Sequence, residues 1–237
     1  MASATAIDAV GIPLTLRKLQ ANVSFRDQAY AALKQAIQDA DIYGQTAEIR
    51  LDERQLADAL GVSRTPIREA MTLLEQEGFL RTEPRRGIFI VRKTRRQIVE
   101  MIQVWAALEG MAARLATKRA SDKEIAALRD IFSDFADANP AEKIDEYSDA
   151  NIAFHQALIK LSGSDLIINM TDNLFLHVRA VRKVTIAHGD RAERSLADHL
   201  KIIEALAKRN AERAEKLSRE HALGLADHVE KFCDFLD

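Results

Sequence analysis

The chain has 237 residues, 47% of them apolar and 30% charged, with a formal net charge of −2. That length allows two domains with separate cores, and near-neutrality excludes a protein that coats nucleic acid indiscriminately. The single cysteine, Cys233, cannot form an internal disulfide, which fits a reducing, cytoplasmic setting, and no apolar run approaches the roughly 20 residues of a membrane helix.

Residues 1–23 lack a secretory layout and form an N-terminal arm that either hangs loose or docks on a neighbour. The unit 24–93 is read as a winged helix-turn-helix. Within it, Leu51–Leu80 holds two short helical patterns meeting at Leu60-Gly61-Val62-Ser63. Asp52 caps the first, whose Leu56, Ala57 and Leu60 share an apolar side. Gly61 supplies the corner, and Ser63 caps the second helix with Pro66 near its start.

Ile67, Ala70, Met71 and Leu74 then turn inward, while Thr65, Arg68 and Thr72 point away and Arg64 lies on the flank. A helix that enters the major groove needs this division, with hydroxyls and amides for phosphate and long donors for base edges. Pro84-Arg85-Arg86-Gly87 reads as a wing tip before the strand Ile88-Phe89-Ile90-Val91. Between Arg54 and Arg96 ten basic residues face five acids, a basic patch of about +5 on a neutral molecule.

Residues 94–237 change to long helical patterns with almost no strand signal: 95–119, 121–138, 140–161, 164–187, 191–208 and 210–236. Short connections predict an antiparallel bundle. The fold class is therefore mainly α: a winged helix-turn-helix with a small β wing, followed by an all-α bundle.

Three histidines fall on three bundle helices. Asn151 and His155 lie one turn apart on one face, His199 precedes a core stripe, and His221 lies in the last helix. Imidazoles from facing helices plus an oxygen donor suit a transition metal, although a histidine taken alone is more often a hydrogen-bonded core or boundary residue than a ligand. His177 shares a face with Asn169 and Asn173, which is either a pocket wall or an exposed polar stripe. His188 and His228 are read as loop and solvent-facing residues. Gly110, Ala113 and Ala116 permit close helix approach.

The segment LADALGVSRTPIREAMTLLEQEGFL with its wing resembles the winged helix of GntR-family bacterial transcription regulators over about Phe25 to Val91. The resemblance implies DNA contacts from Arg54, Ser63, Arg64, Thr65, Arg68 and Gly87, with Arg64 and Arg68 reading guanine edges and Ser63 and Thr65 holding phosphate. The family's Gly-x-Leu-x-Pro-Gly turn is replaced by Asp41-Ile42-Tyr43-Gly44-Gln45-Thr46, a change to the loop rather than the DNA face.

The bundle resembles the FCD effector domain of the FadR subgroup, through Leu108-Glu109, Phe154-His155, Ser162-Gly163, and His199 with Ala205-Leu206. By position this implies a divalent metal on Asn151, His155, His199 and His221, zinc first, with nickel or manganese as alternatives. Asparagine stands where aspartate is commonest. Trp105 stands where the family's anion-holding arginine is usual, so the indole either stacks on a flat effector or fills the core. Glu109, Asn173, His177 and Arg179 complete the expected effector pocket, and Arg182 is either an anion contact or surface charge.

The function implied is a ligand-responsive transcription regulator, a repressor, binding double-stranded operator DNA as a homodimer and a small-molecule effector. The competing readings are a metal-responsive regulator and a metal-dependent hydrolase fused to a DNA reader.

Overall fold

The structure is a computed structural model and describes residues 24–40, 42–43, 48–135 and 138–236. The expected arm 1–23 and most of the replaced turn lie outside the described residues.

Helix α1 spans Phe25–Asp39, with the Ser24 hydroxyl accepting from Asp27 N at 3.1 Å. After β1, Arg50–Leu51, come α2, Glu53–Leu60, and α3, Arg64–Gln76. Asp52 caps α2, accepting from the backbone of Arg54 and Gln55 at 2.9 Å. Gly61 makes the corner at φ +66°, a left-handed conformation that glycine adopts without a Cβ penalty. The hairpin of β2, Leu80–Glu83, and β3, Gly87–Ile90, forms the wing. The sheet order is β1-β3-β2, antiparallel, with Arg50 opposite Phe89 and Arg81 opposite Phe89 on the other side.

Ile67, Ala70, Met71 and Leu74 of α3 are buried against Ala29, Leu33 and Ile37 of α1. Each large apolar side chain so buried stabilises the unit by about 1.5–3 kcal/mol. Leu60 departs from expectation. It is 39% exposed, because Gly61 turns the chain away at once and leaves the apolar side of α2 to Ala57 and Leu56.

Six helices follow: α4 Arg95–Arg119, α5 Asp122–Asp130, α6 Ile144–Leu161, α7 Asp165–Thr185, α8 Arg191–Ala207 and α9 Ala211–Phe232. Thr94 and Gln97 close a capping box at the start of α4, and Ser121 and Glu124 do so for α5. Two boundaries differ from the sequence reading. The helix from residue 121 stops at Asp130, and Ser133–Phe135 forms a 3-10 turn that carries Phe132 and Phe135 into the core. The helix expected from 140 begins as a 3-10 turn, Pro140–Lys143, with Asn139 capping Ala141 N at 2.9 Å.

Gly110, Ala113 and Ala116 are buried. A Cβ at Gly110 would sit 3.2 Å from the Glu215 carbonyl oxygen of α9, so this small-residue stripe serves helix contact inside one chain. Cys233 is fully buried while Phe232 and Phe235 are 62% and 43% exposed, so the cysteine alone packs inward.

One apolar cluster runs from Leu33 and Ile67 through Ile42 and Tyr43 to Ile98, Trp105 and Phe175, joining winged half and bundle. Among the described residues no helix is long and apolar enough to cross a membrane.

Candidate functional site

The exposed side of α3 carries two arginines that share one carboxylate. Glu53 of α2 accepts from Arg68 Nη2 at 3.0 Å, from Arg68 Nε at 3.3 Å and from Arg64 Nη2 at 3.2 Å. These guanidiniums, led by Arg68, hold the Glu53 carboxyl below its usual range. Arg64 and Arg68 remain 60% and 64% exposed, and Arg54 and Thr65 are exposed beside them. Ser63 occupies the N-cap position of α3, but its hydroxyl makes no capping hydrogen bond, contrary to the sequence reading.

At the wing, Gly87 has φ +118°, a conformation that calls for glycine, whereas the Arg50 Nε that a Cβ there would meet at 2.7 Å ends a flexible side chain that can move aside. Arg81 and Arg86 pack over the Phe89 ring at 5.0 and 5.5 Å, and Arg86 pairs with Glu83.

Inside the bundle, α6, α8 and α9 bring His155, His199 and His221 together, with one ligand atom from each lying within 4.8 Å of the others. His199 Nε2 and His221 Nε2 are 3.1 Å apart. Each ring's other nitrogen has an outer partner. His155 Nδ1 bonds to Glu109, His199 Nδ1 lies 3.4 Å from Tyr147 Oη, and His221 Nδ1 lies 3.6 Å from Asp198 Oδ2. An imidazole whose Nδ1 faces a carboxylate keeps its proton there and leaves Nε2 bare.

His155 Nε2 and the Oδ1 of fully buried Asn151 have no hydrogen-bond partner. Burial keeps His155 and His199 well below the usual histidine range, and Arg182 adds to this. Burial likewise lowers His221, with Asp198 opposing. Burial pushes the Glu109 carboxyl up to about 7, against the charges of Arg182 and His221 and the Trp105 indole N–H. Three unprotonated imidazoles whose nitrogens converge are a donor set that could hold a cation, and Asn151 stands one turn before His155 on the same helix.

Of the expected pocket residues, Glu109 and Trp105 adjoin His155, whereas His177 and Arg179 meet the winged half. Trp105 is buried, stacked on Phe175 at 5.4 Å and set at a steep angle to His155, and it also lines a small cavity of about 60 Å³ with Gln156, Thr171 and Phe175. His177 is buried away from the histidine cluster. Its Nδ1 lies 2.8 Å from the Tyr43 hydroxyl, which also accepts from Lys93 N at 3.3 Å. Arg179 faces Asp39 of α1 at 3.3 Å. Asn169 is exposed, and the side chain of Asn173 lies outside the described residues.

His228 is half-buried rather than solvent-facing, because its Nε2 meets His188 Nδ1 at 3.1 Å and its ring packs on Phe232. Sequence reasoning missed the Glu53 clasp, Tyr43 and the outer partners Tyr147 and Asp198. Asp198 alone left a signal, standing directly before His199.

Residues 25–90 match the model described as bacterial regulatory proteins, gntR family, and residues 100–224 match the FCD domain. The uncharacterized HTH-type transcriptional regulator YdhC of Bacillus subtilis is 32% identical over 181 residues, covering 76% of this chain and 79% of that protein. The Nta operon transcriptional regulator of Aminobacter aminovorans is 33% identical over 192 residues, covering 78% and 83%. The HTH-type transcriptional repressor RspR of Escherichia coli is 26% identical over 179 residues, covering 76% and 78%. The solved structure of E. coli McbR/YncC shares the fold at a TM-score of 0.73 and 21% identity, covering 90% of this chain and all of that one. Two domain matches that together span most of the chain, and relatives of 32% and 33% identity over three quarters of it, place this chain in the GntR family as a transcriptional regulator with an FCD domain.

Proposed function

We propose that this regulator is an operator-binding repressor that works as a homodimer, its affinity set by a small molecule in a metal-containing pocket of the bundle. The observation that carries the reading is the division of α3. One side is wholly buried, while the other presents arginines and a free Ser63 hydroxyl that the fold does not need. Ser63 and Thr65 hold phosphate, Arg64 and Arg68 reach guanine edges, and Arg54 and the Gly87 backbone flank them. A two-fold pair places two such helices on successive major-groove faces of a pseudo-palindrome. That RspR is named a repressor supports the sign of regulation.

The bundle residues fit a divalent ion, zinc first and nickel or manganese next, held by Asn151, His155, His199 and His221. Once bound, the ion supplies a Lewis-acidic point for an oxygen or nitrogen of the effector. His221 keeps 7% side-chain exposure and lines an open cleft, whereas His155 and His199 are sealed. This favours a site that a metabolite reaches over one in which the ion alone is the signal.

Helix α7 relates the two halves. Arg182 lines the cleft, and His177 and Arg179, within five residues of it, touch Tyr43 and Asp39 of the winged half. An effector with different affinity for two settings of α7 shifts operator affinity, typically by about 1–3 kcal/mol. The test is native mass spectrometry of the purified chain, followed by operator titration before and after ligand removal. The expected result is a retained ion and ligand, with operator affinity rising roughly 5- to 150-fold on ligand removal. Operator affinity indifferent to the ligand contradicts the reading, and a response to chelation alone favours a metal-responsive regulator.

A further inference from the structure

Of the six histidines, His155, His177 and His199 are sealed in the interior and His221 nearly so. The other two, His188 and His228, reach the surface and face each other across 40 residues of chain. His188 stands in the corner between α7 and α8, and His228 lies one turn before the end of α9. Neither belongs to the buried cluster.

His188 Nδ1 lies 3.1 Å from His228 Nε2, with ring centroids 5.3 Å apart and planes inclined at 49°. Two nitrogens held by one ion at about 2.0–2.1 Å stand about 2.9 Å apart at a right angle and about 3.3 Å apart at the tetrahedral angle. The observed separation falls between the two, and it equals the 3.1 Å between His199 and His221 in the buried cluster. In the metal-free chain a proton bridges the pair, and an ion can take its place with little movement.

Both rings are held in position. The corner is pinned by His188 N donating to Thr185 O at 3.1 Å and Arg191 N donating to His188 O at 3.3 Å. The His228 ring rests on Phe232 at 4.9 Å. Burial, then Arg191, His188 and Arg194, bring the His228 pKa down to about 4, so its imidazole is unprotonated at neutral pH. Arg194 is tied to Asp190 at 3.0 Å. Among the described residues no third histidine, cysteine or carboxylate oxygen closes the set. Two neutral imidazoles with Arg191 nearby suit a late first-row ion bound through nitrogen, and they disfavour magnesium or calcium, which take oxygen donors.

We propose that His188 and His228 form a second metal site, at the surface, which takes one divalent nickel, copper or zinc ion through two imidazole nitrogens and water. The ion clips the α7–α8 corner to the end of α9. With two protein ligands and no carboxylate, the site holds its ion more weakly than the buried cluster, and it fills and empties from solvent. It is independent of the effector and of the cluster.

The test is calorimetric titration of nickel alone into the desalted chain, in wild-type form and as His188→Gln, His228→Gln and His199→Ala. Wild type should take up one exchangeable nickel ion that desalting removes. His188→Gln and His228→Gln should each weaken that ion at least tenfold, with the ion retained through desalting and the melting temperature unchanged. His199→Ala should do the reverse, losing the retained ion and keeping the exchangeable one. A large excess of magnesium should not compete.

A nickel isotherm unaltered by both glutamine substitutions shows a hydrogen bond only and overturns the inference. Loss in one glutamine variant alone also overturns it, because the ion then rests on a single histidine. Displacement by magnesium does so too, by assigning the ion to carboxylates such as Asp190 and Asp227. Loss of the exchangeable ion in His199→Ala defeats its independence from the cluster.

Discussion

Ser63 stands where a capping serine belongs, yet its hydroxyl makes no bond to the helix it begins. An ordinary N-cap serine loses about 1 kcal/mol when cut to alanine. Ser63→Ala should instead leave chemical denaturation within about 0.5 kcal/mol while weakening operator binding several-fold. A full capping loss with unchanged DNA affinity would show that the hydroxyl serves the fold. Glu53 poses a related question, since its carboxylate orients Arg64 and Arg68 yet faces phosphate in the proposed docking of α3 on DNA. Exposed ion pairs contribute little to stability, so Glu53→Gln should barely move the unfolding midpoint. It should raise binding to random duplex, steepen the salt dependence and lower the ratio of specific to random affinity. Anisotropy titrations at several salt concentrations check this. Which residues face outward on α3 followed from period 3.6. That Glu53 holds two of them did not, because the contact joins α2 to α3 across eleven and fifteen residues of chain.

At the scale of elements, the wing depends on Gly87 and the joint between the halves on α7. Gly87→Ala meets a disfavoured φ, while the flexible Arg50 side chain can move aside, so it should cost about 1–3 kcal/mol, read by thermal unfolding. Tyr43→Phe leaves His177 Nδ1 and Lys93 N without their partner, again about 1–3 kcal/mol, and should loosen operator affinity from its dependence on effector. Burial lowers the His177 pKa to about 3. The unfolded chain therefore binds a proton below about 6.5 that the folded chain refuses. Stability from this group is full above that pH and declines as pH falls toward 3. Replacing His177 by Gln should flatten part of that decline, measured by urea unfolding between pH 7 and 4. Helix order was plain from hydrophobic period and caps. The 3-10 turns after Asp130 and before Ile144 were not, because the pull of Phe132 and Phe135 into a distant core overrides local helix propensity.

For the whole molecule, two domain-sized patterns were legible because each helix carries its own apolar stripe. Their shared apolar cluster, and the burial of Arg182 and His177, depend on packing between segments far apart in sequence. The three histidines were legible as candidates through their spacing and the family resemblance. Their outer partners emerged only when α4, α6 and α8 were brought together. His199→Ala should remove the metal, from about one ion per chain to nearly none by elemental analysis, and lower the melting temperature through lost ligand linkage. Asn151→Asp should retain metal more tightly against a chelator, since a carboxylate offsets more of the ion's charge than an amide.

The central claim, that the exposed side of α3 reads DNA, is tested most directly by selecting duplexes from a random pool at physiological salt. The enriched sequence is then titrated with wild-type and Arg68→Ala protein. The account predicts an enriched pseudo-palindrome and at least a tenfold loss of affinity in Arg68→Ala, with the preference relaxed at a guanine position and thermal stability unchanged. A pool with no enriched sequence, or an Arg68→Ala protein with wild-type affinity and preference, would contradict it.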